Sequence, residues 1–177
     1  MYSGASLVQY AEKALRDGVK YLYGCNMQTL TQDKLDALRA ANPTQITESR
    51  YAVAKAQFIG KVCTDCSGLI FGYYPKYRTS AQLYNNATFR RPLNKNNTTE
   101  IPVGAVLWKD GHVGIYVGNG YEIEARGFDY GVQRRKVSDT AFTHYLLFND
   151  FEYNSTSGGK LWLLVAAAIV GFIILKK

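Results

Sequence analysis

Cysteine, histidine, proline and methionine are scarce: the 177 residues hold three, two, four and two of them. An odd cysteine count, with Cys63 and Cys66 three apart, makes no disulfide framework, so each thiol is read separately. Four prolines and sixteen glycines without a repeating period exclude collagen-like and low-complexity chains. His112 and His144 are the only imidazoles, which narrows any chemistry that needs one. Residues 1–6 lack the basic start and apolar run of a secretory leader, so export by that route is not expected.

What the chain does carry is apolar mass, 47% hydrophobic and 14% aromatic, enough for one buried core. Twenty-one Lys and Arg against fourteen Asp and Glu leave +7. That balance favours an anionic partner: nucleic acid, a membrane surface or a bacterial wall polymer. The basic groups Arg90-Arg91 and Arg134-Arg135-Lys136 come without a groove-reading motif or stacking platform, so they read as surface charge and no specific nucleic acid is expected.

Residues 154–160 read as a flexible linker, and residues 161–175 carry no polar side chain between Lys160 and Lys176-Lys177. A helix of that length rises about 22 Å against a hydrocarbon core of about 30 Å, so a span needs snorkelling lysines or a thinned bilayer. Being apolar on every face, segment 161–177 is expected to insert in a membrane, with a buried core helix as the alternative. Residues 1–153 read as one α+β domain, helices first and strands later. Ser6 is expected to cap a helix carrying Leu7, Val8, Ala11, Ala14 and Leu15, with Gly18 past its end. Thr31 opens a second, with Leu35, Leu38 and Ala41 as its stripe and Pro43 beyond; a third covers 51–58. Strands are expected at 104–108, 112–117, 121–126, 132–137 and 145–148.

Residues 111–126 allow two hairpin registers. A two-residue Asn119-Gly120 turn puts Glu122 and Glu124 on the face of Val113, Ile115 and Val117, which is costly for unpaired carboxylates. A three-residue loop, Gly118-Asn119-Gly120, groups Val113, Ile115, Val117, Tyr121, Ile123 and Ala125 instead. The other face then holds His112, Gly114, Tyr116, Glu122, Glu124 and Arg126. This second register is the expected one, because pattern and turn chemistry agree. It sets Glu124 opposite Gly114, with His112 its diagonal neighbour about 7 to 8 Å away. An ion pair with Arg126, or a solvated face, is the plainer reading of Glu124. His144 reads as structural or exposed.

Thr64-Asp65-Cys66-Ser67-Gly68-Leu69-Ile70 reads as a loop entering a short apolar helix, which puts the Cys66 sulfur where a helix start favours thiolate. With His112 as base and Glu124 behind it, Cys66 would complete a Cys-His-acid arrangement for acyl transfer. Amides of that first turn, at Ser67 among them, would receive an oxyanion. Cys63 and Cys66 also form a C-x-x-C pair, readable as a redox couple or half a metal site. Further ligands at sensible spacing are lacking, and the pair follows helices rather than a βαβ strand. No metal and no cofactor are expected, and Cys25 and Cys63 read as buried small apolar residues.

Asp65-Cys66-Ser67-Gly68-Leu69 followed by Gly111-His112-Val113-Gly114-Ile115-Tyr116-Val117-Gly118-Asn119-Gly120 resembles the NlpC/P60 papain-like cysteine peptidases. Tyr21-Leu22-Tyr23-Gly24 and Pro102-Val103-Gly104-Ala105-Val106 are similar to flanking segments of that family, and the resemblance covers most of residues 5–150. It implies a papain-like fold, N-terminal helices on an antiparallel sheet, with Cys66 as nucleophile, His112 as base, Glu124 in the third position and Tyr21 at the oxyanion site. It implies hydrolysis of peptide bonds in peptidoglycan stems. The stretch of about 25–62 is longer than the family's usual link and reads as an insertion. The apolar tail is also atypical. A wall hydrolase of this build looks like a bacteriophage product, membrane-associated in a virion or host envelope, with self-association open. Two other readings stand: a membrane-anchored lipid acyltransferase of the same superfamily, whose chain order places histidine before cysteine, and a non-catalytic wall-binding virion protein.

Overall fold

Ser3 has extended backbone, and its hydroxyl accepts the Ser6 amide at 3.3 Å, so it caps the first helix. The computed structural model describes residues 1–153. It begins with strand β1 (Tyr2–Ser3) and helix α1 (Gly4–Arg16). The cap expected at Ser6 therefore moves back one turn. The cause is tertiary, since Tyr2 and Ser3 pair in parallel with Phe151 and Glu152, which holds Ser3 extended. Next come β2 (Lys20–Tyr21), β3 (Asn26–Thr29), α2 (Gln32–Ala41), α3 (Glu48–Gln57) and β4 (Val62–Thr64). Thr31 caps α2 and Thr47 caps α3, three residues earlier than the apolar pattern of the third helix indicated. Leu35 and Leu38 are buried as the α2 stripe requires, whereas Ala41 is exposed.

Helices α4 (Cys66–Phe71) and α5 (Ser80–Asn86) lead into β5 (Phe89–Pro92), β6 (Val106–Lys109), β7 (His112–Gly118), β8 (Tyr121–Gly127), β9 (Gly131–Lys136), β10 (His144–Leu147) and β11 (Phe151–Glu152). Six of these strands form one antiparallel sheet in the order β5-β10-β6-β7-β8-β9. A smaller sheet, β2-β4-β3, pairs β2 with β4 in parallel and β3 with β4 antiparallel. Strands β1 to β5 and helix α5 are not visible in the hydrophobic pattern, because they are short and most of their residues are exposed or half-exposed.

The main core lies between the helices and one face of the large sheet. Leu7, Val8, Ala11 and Ala14 of α1 and Leu69 and Ile70 of α4 pack with Val113, Ile115, Ile123 and Ala125. Each fully buried aliphatic side chain contributes about 1.5–3 kcal/mol, which is what clamps α4 to the sheet. A second cluster holds Leu22, Leu35, Leu38, Ile46 and Phe58 with Cys25 and Cys63, joining α2 and α3 to the small sheet.

The hairpin combines both candidate turns. Asn119 (φ 53°) and Gly120 (φ 77°) form the two-residue turn, closed by Gly118 opposite Tyr121. The register then shifts between Tyr116 and Gly118, so that Tyr116 faces Glu122 and Ile115 faces Ile123. The strand bodies thus take the expected register, while the expected three-residue loop is replaced by a tighter turn plus a bulge. The second face is not solvated either. Tyr116, Leu107, Val137 and Phe142 cover it, leaving Glu122 at 0% and Glu124 at 3% exposure. No helix among the described residues is long and apolar enough to cross a membrane. The linker 154–160 and the apolar segment 161–177 lie outside the described residues.

Candidate active site

Strand β4 ends at Thr64, Asp65 turns the chain, and Cys66 is the first residue of α4. Asp65 is the N-cap: its Oδ1 accepts the Gly68 amide at 2.6 Å and the Ser67 hydroxyl at 3.1 Å. Its Oδ2 accepts the Gly24 amide at 2.9 Å and Arg78 Nη2 at 2.8 Å. Arg78 also donates to Ser67 Oγ at 2.9 Å and to the Cys25 carbonyl at 3.2 Å. One buried carboxylate therefore ties two other chain segments, at Gly24 and at Arg78, to the turn that presents Cys66, with an arginine balancing its charge. Cys66 is half-buried and its thiol is free, whereas Cys25 and Cys63 are buried free thiols. The Cys63 sulfur donates to the Lys61 carbonyl at 3.8 Å, and the neighbouring Cys25 thiol, together with burial, pushes the Cys63 thiol up.

His112 opens β7 with its ring stacked on Phe142 at 5.7 Å and an interplanar angle of 6°. Its Nε2 donates to Glu124 Oε2 at 2.5 Å, and the Cys66 side chain lies close enough to act on the ring. With Nε2 committed to the carboxylate, Nδ1 is the ring atom left for sulfur. Burial opposes the charge on His112, but Cys66 and Glu124 outweigh it and hold the imidazolium up to about 9. Glu124 takes a second bond, from Arg135 Nη1 to Oε1 at 3.0 Å. Burial works against its ionisation, yet His112 and Arg135 keep its carboxyl below the usual carboxylate range. The ion-pair partner of Glu124 is therefore Arg135, not Arg126, which lies 3.9 Å over the Tyr130 ring.

Cys66, His112 and Glu124 are thus brought together from α4, β7 and β8. Tyr21, at the end of β2, pairs with Thr64 and sits close enough to Cys66 for charge on one to act on the other. Burial first, then Cys66 and Asp65, pushes its phenol above the ordinary value, so it stays a donor. The Ser67 hydroxyl is occupied by Asp65 and Arg78, leaving its amide for the expected role. His144 bonds Thr143 Oγ1 at 2.9 Å and meets Tyr84 and Trp108 edge-on, a packing position. Among the described residues no cluster of His, Cys, Asp or Glu is arranged to hold a metal ion. Arg78 and Arg135 escaped the sequence reading because each reaches its acid from another element. Glu122 escaped it because alternation showed its face but not the lid over that face.

A family model described as the NlpC/P60 family matches residues 18–149. Among solved structures, NlpC1 from Trichomonas vaginalis is 19% identical at a TM-score of 0.49, covering 82% of this chain and 43% of that one. The P60 domain of an antigen from M. avium subspecies paratuberculosis is 21% identical at a TM-score of 0.46, covering 82% of this chain and 96% of its own. The peptidoglycan hydrolase RipB from Mycobacterium tuberculosis is 20% identical at a TM-score of 0.43, covering 81% and 65%. This chain spans less than half the length of the Trichomonas protein. Comparison with curated proteins returned no match.

Proposed function

The chain belongs to the NlpC/P60 family, and from that premise we propose that it is a cysteine endopeptidase acting on the stem peptides of bacterial peptidoglycan. The observation that carries the reading is His112 held between the Cys66 sulfur and the Glu124 carboxylate. In this reaction the Cys66 thiolate attacks the scissile carbonyl carbon while the first-turn amides at Cys66 and Ser67, with the Tyr21 phenol, receive the oxyanion. Such amides have no intrahelical carbonyl to bond. The His112 imidazolium then protonates the departing amine, and the C–N bond breaks to leave an acyl-cysteine. Neutral His112 next takes a proton from water, whose oxygen attacks the thioester and releases the carboxylate product. Glu124 keeps the ring in the productive tautomer throughout.

The setting proposed with this activity is a bacteriophage virion or host envelope, with residues 161–175 as the membrane attachment and +7 charge favouring an anionic wall. The test is incubation of the full chain and its Cys66→Ala variant with purified sacculi. Muropeptides appearing by mass spectrometry with the native chain alone would support the proposal. Equal release by both would remove it, and acyl transfer from phospholipid vesicles without muropeptides would favour the lipid acyltransferase instead.

A further inference from the structure

The register of β8 against β9 places Arg135 directly across from Glu122 and places Gln133 across from Glu124. Position alone therefore assigns the guanidinium to Glu122. The side chain instead reaches diagonally: Nη1 donates to Glu124 Oε1 at 3.0 Å and Nη2 to the Asp139 carbonyl just beyond the strand. Both oxygens of wholly buried Glu122 are left without a partner. Two acids thus share one buried face, and the guanidinium that hydrogen-bonds there is committed to the acid that also holds His112. The Glu124 carboxylate is gripped at both oxygens, Oε2 by His112 and Oε1 by Arg135, so its plane is set from two sides. With Nη2 anchored on Asp139, the guanidinium is not free to swing back to Glu122.

We propose that Arg135 is a positioning residue of this site, whose two-point hold on Glu124 and the Asp139 carbonyl keeps that carboxylate aimed at His112. The assignment rests on the Cys66-His112-Glu124 reading above. The charged or titratable groups near the pair are Cys66 from α4, His112 from β7 and Glu122 from β8, with Arg126 of β8 acting on Glu122 rather than on the pair. Without Arg135, burial favours a protonated Glu124 and only His112 is left to oppose it. His112 then loses the support that keeps its imidazolium. The acid limb of the rate profile moves up and the alkaline limb moves down.

The experiment is muropeptide release from purified sacculi by the full chain between about pH 5 and pH 10, for native, Arg135→Gln, Arg135→Lys and Cys66→Ala proteins. Arg135→Gln should narrow the profile from both sides and lower kcat roughly tenfold, with KM within about twofold. Arg135→Lys keeps the charge but carries one nitrogen, so it should recover part of the width and not all of it. Should Arg135→Gln fail to fold, the lysine variant carries the comparison alone: partial narrowing supports the assignment, and native width overturns it. An alkaline limb that rises in Arg135→Gln would show a mere neighbouring charge and would also overturn it. Turnover by Cys66→Ala at the native rate would instead sink the catalytic reading itself.

Discussion

A methyl group on Gly114 would stand 2.8 Å from Oε2 of Glu122, closer than real side chains approach. The bare backbone is what lets that carboxyl lie under the sheet. The same methyl would meet the Phe142 ring at 2.9 Å, and Phe142 is the ring on which His112 stacks. Gly114→Ala therefore overpacks the layer behind the site, at an expected cost of about 1–3 kcal/mol. Thermal unfolding should fall by several degrees, and alkylation of Cys66 by iodoacetamide should slow as His112 is displaced. An unchanged melting temperature would mean that the second face has slack the geometry does not show.

Glu122 supplies a pH dependence with a definite sign. Burial, with Glu124 beside it, lifts its carboxyl up to about 9 from an ordinary 4.5. Between those values the folded chain keeps the proton and the unfolded chain does not, so stability falls as pH rises through the window. The loss approaches about 1.4 kcal/mol per pH unit where the two states differ by a whole proton. Urea denaturation at several pH values should show native stability declining relative to Glu122→Gln, whose amide does not titrate. Parallel curves for the two proteins would place that proton elsewhere.

For His112 the order of effects is reversed. Burial opposes its charge, but Cys66 and Glu124 carry it up to about 9, above the ordinary 6.5. The imidazolium's contribution to stability is fully present below about 6.5 and is lost as pH rises through 9. Glu124→Gln removes one support, so the alkaline limb of muropeptide release should move down, with kcat reduced by roughly 10²-fold and KM little changed. A limb that stays in place would show that the sulfur alone sustains the imidazolium.

Arg78 is the counter-charge of a nearly buried carboxylate, Asp65. Arg78→Ala should cost about 3 kcal/mol, because it strands that charge beside the helix that presents Cys66. Arg78→Lys should recover only part, having one nitrogen for the Asp65, Ser67 and Cys25 acceptors that Arg78 now binds. The urea midpoint measures both. A loss no larger than that of an exposed ion pair, under about 1 kcal/mol, would mean water replaces the guanidinium there.

How far each of these features could be read beforehand depends on the range of the interaction that made it. The Asp65 cap and Cys66 at a helix start are local, set by residues within one turn. The body of the hairpin was legible because alternation has a period of two and only one register sorts its apolar residues. The turn itself is not legible that way, because a two-residue turn followed by a bulge between Tyr116 and Gly118 reaches the same strand register as a three-residue loop. The cap of α1 was misplaced because the competing serine was held extended by residues almost 150 positions away.

By itself, the amino-acid order determined which side chains share a face of the hairpin, where the thiol meets a helix, and that His112 and Glu124 fall within reach of one another. Each follows from backbone periodicity and turn chemistry, which act over a few residues. Tertiary structure alone decided that a second apolar layer closes over both glutamates, that Arg135 passes by its cross-strand neighbour to grip Glu124, and that Arg78 neutralises Asp65. Those outcomes depend on which groups lose water together, and desolvation is a property of the assembled layers rather than of any segment.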